Sequence, residues 1–376
     1  MLIACSYFER NAGGLQRFVE DTAQTLAGRH GDDVMVLAAT AGAAGVHPWG
    51  LDMPRGSVVL HRVRGRVRDP RSLSLPIAIH TVLPGVRRIV RSFDPDVVHL
   101  THDRWFLPNF ELAIAAGGRP LVASPFLHPY RTNLTNFPQT LVNRATLRIA
   151  DRVTAVTRYE ATHLTRLYGV KEGQLAIFPQ GVRGLADPRP APRSGRSTVL
   201  FVGRLDPVKG ARVAAEAFCR GAPSLPPDSR FVAVGRDWGE LGAVRERMGG
   251  AGLLDRFDHL EAVSESDLTE LYDRAIACVL PSKVGAFGYP IFEALARGTP
   301  VITTATPQSQ ELLTAGGILV EGPRTDAFSE ALVALAADEQ SWSRLSRDGY
   351  ALAATRFTAE RMVQGIRDQY KAAGAT

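Results

Sequence analysis

The chain has 376 residues, of which 45% are hydrophobic and 22% charged, and it carries a formal net charge of +6 at pH 7. At about 150 residues per domain this is two to three domains, and the composition excludes collagen-like, disordered and coiled-coil classes. Three cysteines, Cys5, Cys219 and Cys278, exclude a disulfide framework and any zinc-type spacing, and point to a reducing compartment.

In the first half, short apolar runs alternate with helical patterns. Leu2–Ser6, Val34–Ala39, Val58–Leu60, Val97–Leu100, Leu121–Ser124 and Val153–Val156 read as strands. They are continuous and rich in Val and Leu, as parallel strands covered on both faces should be. Between them Leu15–Ala27, Ile77–Ser92, Leu107–Ala116, Phe137–Ile149 and Tyr159–Tyr168 read as helices. Gly181–Ser197, rich in Pro, Gly and Ser, reads as an interdomain linker. The alternation then restarts with strands at Val199–Val202, Phe231–Val234, Phe257–Leu260, Ala277–Leu280 and Val301–Thr303. Helices are expected up to Arg220, over Leu241–Met248, Leu268–Ala275 and Ile291–Arg297, and in two closing patterns, Ala327–Ala337 and Ala359–Ala373. The reading is an α/β protein with two facing, Rossmann-like, doubly wound domains, whose ligands bind at the C-terminal ends of the strands.

Charge divides the same way. Residues 1–186 hold 22 Lys/Arg against 14 Asp/Glu, a surplus of +8, while the remainder is at −2. Such a field favours an anionic partner.

Three segments carry chemistry. Gly13-Gly14 follows the first strand and opens a helix, where backbone amides can approach an anion; the pair is equally a tight turn. It is no dinucleotide fingerprint, because G-x-G-x-x-G is absent. The segment VLFVGRLDPVKG runs from a buried strand through Gly203 and Arg204 to Lys209 at a helix start. An Arg and a Lys at a strand's C-terminal end suit a diphosphate, the Arg by bidentate bonding and the Lys as a point charge. Lysine is scarce here, four among 44 basic residues, which sets Lys209 and Lys283 apart. The third segment, LPSKVGAFGYPIFEALARGTPVI, is a strand, a Gly-rich loop and a helix carrying Glu293, a carboxylate able to accept hydrogen bonds from a ribose diol.

Together Gly13-Gly14, GRLDPVKG and PSKVGAFGYPIFEALARGTPVI resemble the retaining nucleotide-sugar glycosyltransferases of family four, and VTAVTRYEATHL, SESDLTELYDRA and the closing helices extend the resemblance over nearly the whole chain. The resemblance implies the GT-B fold: an acceptor-side domain over 1–186, a nucleotide-sugar domain over 187–355, and a final helix over 356–376 that crosses back onto the first domain. It further implies that Gly13 and Gly14 lie near the donor diphosphate, and that Arg204 and Lys209 hold the diphosphate and stabilise its departure. Glu293 takes the ribose, as the second acid of a paired-glutamate motif. His128, in LVASPFLHPY, lies near the reacting sugar. Gly203, Lys283, Gly285, Ala286, Phe287 and Gly288 complete the donor loops. One position departs from the family pattern: Gly285 stands where the first acid, a contact of the donor sugar, is expected.

The expected function is retaining sugar transfer without a metal, from a UDP- or GDP-linked donor acting as substrate, to a small-molecule, glycan or lipid acceptor. The alternatives are a non-catalytic sugar-nucleotide-binding partner and a GT-B epimerase. No cofactor, metal site or nucleic-acid partner is expected. Asp94-Pro-Asp96, a D-x-D, reads as a turn, and His99, His102 and Asp103 lack a well-spaced further ligand. The opening MLIACSYFER has no basic n-region and meets Glu9 and Arg10 early. The expected location is therefore cytoplasmic. The Arg-rich run His61–Arg71 suggests a solvated edge, or peripheral contact with anionic lipid at the inner face of a membrane.

Overall fold

The computed structural model describes residues 1–7, 13–40, 45–48, 56–64, 85–102, 106–126, 137–185, 195–283 and 288–375. They divide into two units, Met1–Gln180 with Ala359–Thr376, and Gly181–Thr358.

The first unit is built on an eight-stranded sheet. Its strands are β1 (Leu2–Tyr7), β2 (Val34–Thr40), β3 (Gly45–Pro48), β4 (Val58–Arg64), β5 (Val98–His102), β6 (Leu121–Pro125), β7 (Arg152–Ala155) and β8 (Leu175–Ile177). Their order is β3-β4-β2-β1-β5-β6-β7-β8. All described pairings are parallel except β3 with β4. The helices are α1 (Gly14–Thr25), α2 (Val86–Phe93), α3 (Phe106–Ala115), α4 (Phe137–Ile149) and α5 (Arg158–His163), with α13 (Ala359–Ala372) returning at the end of the chain. The expected strands form. Two further strands, β3 and β8, have only four and three residues, too few to show a pattern.

The second unit has a six-stranded parallel sheet. Its strands are β9 (Thr198–Val202), β10 (Arg230–Val234), β11 (Phe257–Leu260), β12 (Ala275–Leu280), β13 (Val301–Thr304) and β14 (Gly317–Val320). The order β11-β10-β9-β12-β13-β14 is the doubly wound arrangement, which reverses direction between its first and fourth strands. The helices are α6 (Ala211–Gly221), α7 (Leu241–Gly250), α8 (Glu265–Arg274), α9 (Tyr289–Ala296), α10 (Pro307–Leu312), α11 (Thr325–Ala337) and α12 (Glu339–Arg356). The central strands are dry: β12 is buried along its whole length, and Val199, Leu200 and Phe201 of β9 are at most 1% exposed. Each buried Val, Leu, Ile or Phe among them contributes about 1.5–3 kcal/mol.

Three expectations change. Of the helix expected over Ile77–Ser92, the described part is α2, which starts at Val86 behind Gly85 at φ 81°, and 77–84 lie outside the described residues. The 18-residue helix α12 was not read from the sequence. Its buried stripe, Trp342, Ser346, Gly349, Leu352 and Ala353, is narrow and half non-aliphatic, so the 3.6-residue period is hidden among charges. And Arg196, inside the expected 181–197 linker, is buried against the second unit. Its Nη1 donates to the carbonyls of Tyr272 and Ala275, and its guanidinium lies 4.8 Å from the Trp342 ring centre.

The last helix is tied to the first unit by apolar and polar contacts. Met362, Val363, Ile366 and Tyr370 are buried on one stripe, Arg367 pairs with Asp32 at 2.6 Å, and Arg29 with Glu360 at 2.7 Å. At the centre, the fully buried His99 of β5 bonds Tyr370 Oη through Nδ1 and Ser124 Oγ through Nε2, both at 2.8 Å. Burial pushes the imidazole down to about 3, so it is neutral at physiological pH. His99 is thus committed to packing. Asp94 of the D-x-D ends α2 in the left-handed region and pairs with Arg119, which makes it a turn residue. Of the Arg-rich run, His61–Arg64 form the end of β4, paired throughout with β2 and, at His61 and Arg62, also with β3; 65–71 lie outside the described residues. No helix among the described residues is long and apolar enough to cross a membrane.

Removing the Tyr370 hydroxyl orphans a nitrogen of a buried ring. Tyr370→Phe should lower the unfolding free energy of the first unit by about 1–3 kcal/mol, read as a lower urea midpoint. An unchanged midpoint would show that this bond adds nothing to the docking of α13.

Candidate functional site: a cationic loop pair at the sheet's switch point

In the second unit, the loop after β9 and the loop after β12 leave neighbouring strands at the point where strand order reverses. The loops are joined by backbone. Lys283 N–H donates to the Val208 carbonyl at 2.9 Å, and Ser282 Oγ donates to the same oxygen at 3.2 Å. Gly210 makes this possible. It opens α6 at φ 80°, and a Cβ there would stand 2.4 Å from the Pro281 carbonyl oxygen. A third loop, after β10, is equally close: a Cβ on Gly235 would meet the Gly203 carbonyl oxygen at 2.1 Å. Leu205 N–H bonds the Arg236 carbonyl and Trp238 N–H the Leu205 carbonyl, each at 3.0 Å.

Within this frame the cations are held by their neighbours. Asp206 is the pivot. Its Oδ1 accepts from the N–H of Val208 at 3.0 Å and of Lys209 at 2.8 Å, which shapes the turn before α6. Its Oδ2 accepts from Arg204 Nε at 2.9 Å. The Arg204 guanidinium also lies over Trp238, 4.9 Å from the ring centre. It remains partly exposed, its side chain 42% accessible. Lys209 is more enclosed: burial pushes its ammonium down to about 8, the Arg204 charge acts in the same direction, and Asp206 opposes both. A half-buried cation held below its ordinary range gains most from an arriving polyanion.

Glu293 sits in the second turn of α9, half-buried, and its Oε2 accepts from the Tyr272 hydroxyl at 2.9 Å. Helix α9 begins after Gly288 with no side-chain cap, leaving its positive end toward the loop. Gly203, Arg204, Lys209, Lys283, Gly288 and Glu293 therefore all belong to the loops and helix starts around β9 and β12. Gly285, Ala286 and Phe287 lie outside the described residues, as does His128. Gly13 and Gly14 belong to the first unit, exposed at the start of α1, again with no side-chain cap.

Sequence reasoning passed over Asp206, Trp238 and Tyr272. Asp206 lay in view inside GRLDPVKG, as an Asp two residues before an amide it could accept from. Trp238 and Tyr272 had no such local signal. It also passed over Glu160 at the strand ends of the first unit. Thr157 caps α5, and the Glu160 carboxylate accepts from Val156 N–H at 2.8 Å. It lines a small cavity with Phe18, Phe126, Phe178 and Met362. Burial raises its carboxyl to about 7, against the Val156 hydrogen bond. Among the described residues, no group of three or more His, Cys, Asp or Glu could hold a metal ion.

Comparisons with known proteins fit this architecture. Residues 12–183 match the model of Glycosyltransferase Family 4, and residues 185–352 match that of Glycosyl transferases group 1. The chain is a glycosyltransferase. The enzyme is 27% identical over 390 residues to D-inositol 3-phosphate glycosyltransferase from Xylanimonas cellulosilytica, covering 96% of this chain and 92% of that protein. It is 28% identical to the same-named protein of Geodermatophilus obscurus, covering 96% and 85%. Among solved structures, sucrose-phosphate synthase from Thermosynechococcus elongatus superposes with a TM-score of 0.79 at 20% identity, over 99% of this chain and 98% of that one. HepE from Anabaena, solved in complex with UDP-glucose, superposes with a TM-score of 0.76 at 17% identity, over 99% of each chain. The glycosyltransferase has the GT-B fold.

The contact of Gly210 with Pro281 gives a direct prediction. Gly210→Ala adds a methyl where a carbonyl already stands, in a conformation that L residues avoid. It should cost the second unit about 1–3 kcal/mol, read as a lower melting temperature. An unchanged melting temperature would mean that the two loops are not held this closely.

Proposed function

We propose that the chain is a retaining, metal-independent glycosyltransferase that takes its sugar from a UDP- or GDP-linked donor, the diphosphate lying against Arg204 and Lys209. The observation that carries this reading is the pairing of these two cations at the switch point of the second sheet, one partly exposed and one enclosed. Open α/β sheets bind ligands at that crevice. HepE, of like fold, was solved with UDP-glucose, which favours a uridine donor.

In the reaction, the bond between the sugar's anomeric carbon and the diphosphate oxygen breaks, and the acceptor nucleophile attacks the same face. Negative charge grows on the departing oxygen. Arg204 and Lys209 neutralise it from fixed positions, which spares the reorganisation that water would need. Glu293 takes the ribose diol. His128, Gly13 and Gly14 act on the donor in the roles the family resemblance implies, with Gly203, Lys283, Ala286, Phe287 and Gly288 forming the donor loops. The first unit takes the acceptor. Its basic surplus and the relatives named for inositol 3-phosphate favour an anionic acceptor, such as a polyol phosphate. Gly285, in place of a carboxylate, favours a donor sugar that needs room there: a deoxy, amino or extended sugar. The enzyme works in the cytoplasm, with any membrane contact peripheral.

Arg204→Ala and Lys209→Ala should each lower kcat/KM by about 10²–10³ without unfolding the protein; full activity in either variant removes that residue from the mechanism. Activity should persist in EDTA, and an absolute Mg²⁺ or Mn²⁺ requirement would refute metal independence. Lys209 is charged below its lowered pKa and neutral above it. Affinity of the free enzyme for UDP or GDP should therefore fall as pH rises through about 8. Lys209→Arg should abolish that step in calorimetric titrations; a step that survives the substitution belongs to another group.

A further inference from the structure

The Glu293 carboxylate is held by Tyr272, a residue of SESDLTELYDRA that lies outside the three segments read as carrying chemistry. Tyr272 is 2% exposed and stands in the last turn of α8, the helix that precedes β12, while Glu293 is on α9, the helix that follows it. Its hydroxyl donates to Glu293 Oε2 at 2.9 Å. A buried phenol needs a partner for its O–H, and a bond to a carboxylate is among the stronger ones available.

The backbone of Tyr272 is fixed independently of that hydroxyl. Its carbonyl accepts from Thr299 Oγ1 at 2.6 Å and from Arg196 Nη1 at 3.1 Å. Thr299 lies in the turn that ends α9, its own N–H bonded to the Ala294 carbonyl at 2.8 Å. Thr299 therefore ties the end of α9 to the end of α8. The Tyr272 hydroxyl reaches Glu293, one residue before Ala294. The phenol is thus a rigid strut from one helix to a carboxylate on the next, and its ring packing and carbonyl bonds survive without the oxygen.

We propose that Tyr272 is a positioning residue for donor recognition: by holding Oε2 it fixes the Glu293 carboxylate so that it meets the ribose diol of the nucleotide. This rests on the reading of Glu293 as the ribose ligand. Without the hydroxyl Oε2 loses this bond, and ligand contacts that need the carboxylate in this orientation are the ones weakened.

The test is calorimetric titration of wild type, Tyr272→Phe, Glu293→Ala and the double variant. The probes are UDP or GDP, whichever the wild type binds more tightly, and the 2′-deoxy and 3′-deoxy forms of that diphosphate. Tyr272→Phe should weaken the ribonucleotide about three- to tenfold, the scale of one ordinary hydrogen bond. It should change affinity for the deoxy analogue lacking the contacted hydroxyl less than about twofold, and add nothing in the Glu293→Ala background. If Tyr272→Phe keeps the full preference for ribose while Glu293→Ala loses it, the positioning role is wrong and the ribose role of Glu293 stands. If Glu293→Ala keeps the preference, the ribose role itself fails. Equal weakening of ribo and deoxy ligands, or a variant that no longer folds, would assign the hydroxyl to stability and overturn the proposal.

Discussion

The second unit depends on one close approach, the start of α6 against the carbonyl of Pro281. With Gly210 in the left-handed region, the loop after β9 lies on the loop after β12, and the Val208 carbonyl takes hydrogen bonds from both Ser282 and Lys283. The sheet order makes these strands neighbours; the glycine lets their loops touch. Everything assigned to the diphosphate follows from that contact. Arg204 and Lys209 stand on one loop, Lys283 on the other, and α9 begins just beyond. A side chain at position 210 would separate them.

The cations are also prepared rather than merely present. Asp206 spends one oxygen on the turn and the other on Arg204, so the residue that shapes the loop also aims the guanidinium, with Trp238 beneath it. The exposed part of that ion pair contributes little to stability. Its value is geometric. Lys209 is different: burial and the Arg204 charge work against its charge, so under the proposed function an anion beside it would offset that cost. The first unit shows the opposite use of buried polarity. There His99 is neutral, joins Tyr370 to Ser124, and pins the last helix of the chain to the first sheet. This histidine, which lacked a well-spaced set of metal ligands in the sequence, is an architectural part.

Much of this was legible in the residues. Dry parallel strands announce themselves as unbroken apolar runs, and both halves of the chain showed them. Arg204 and Lys209 were legible because position after a strand is a local property, and a scarce residue type stood there. What escaped was whatever depends on a partner far away in sequence. Tyr272 reads as one more apolar residue on α8 until its hydroxyl is seen beside Glu293. Trp238 reads as a loop aromatic until Arg204 is above it. Helix α12 escaped for another reason: its buried face rests on Gly349 and Ser346 as much as on Trp342 and Leu352, and small residues leave no hydrophobic period. Strands β3, β8 and β14, of three or four residues each, escaped as well.

The central claim is that the donor's diphosphate is held at the junction of the β9 and β12 loops. A crystal structure of the chain with UDP or GDP tests it most directly. The account predicts both phosphates within hydrogen-bonding distance of the Arg204 guanidinium and the Lys209 ammonium, with the ribose against Glu293. A nucleotide bound elsewhere, or with its phosphates turned away from these two cations, would contradict it.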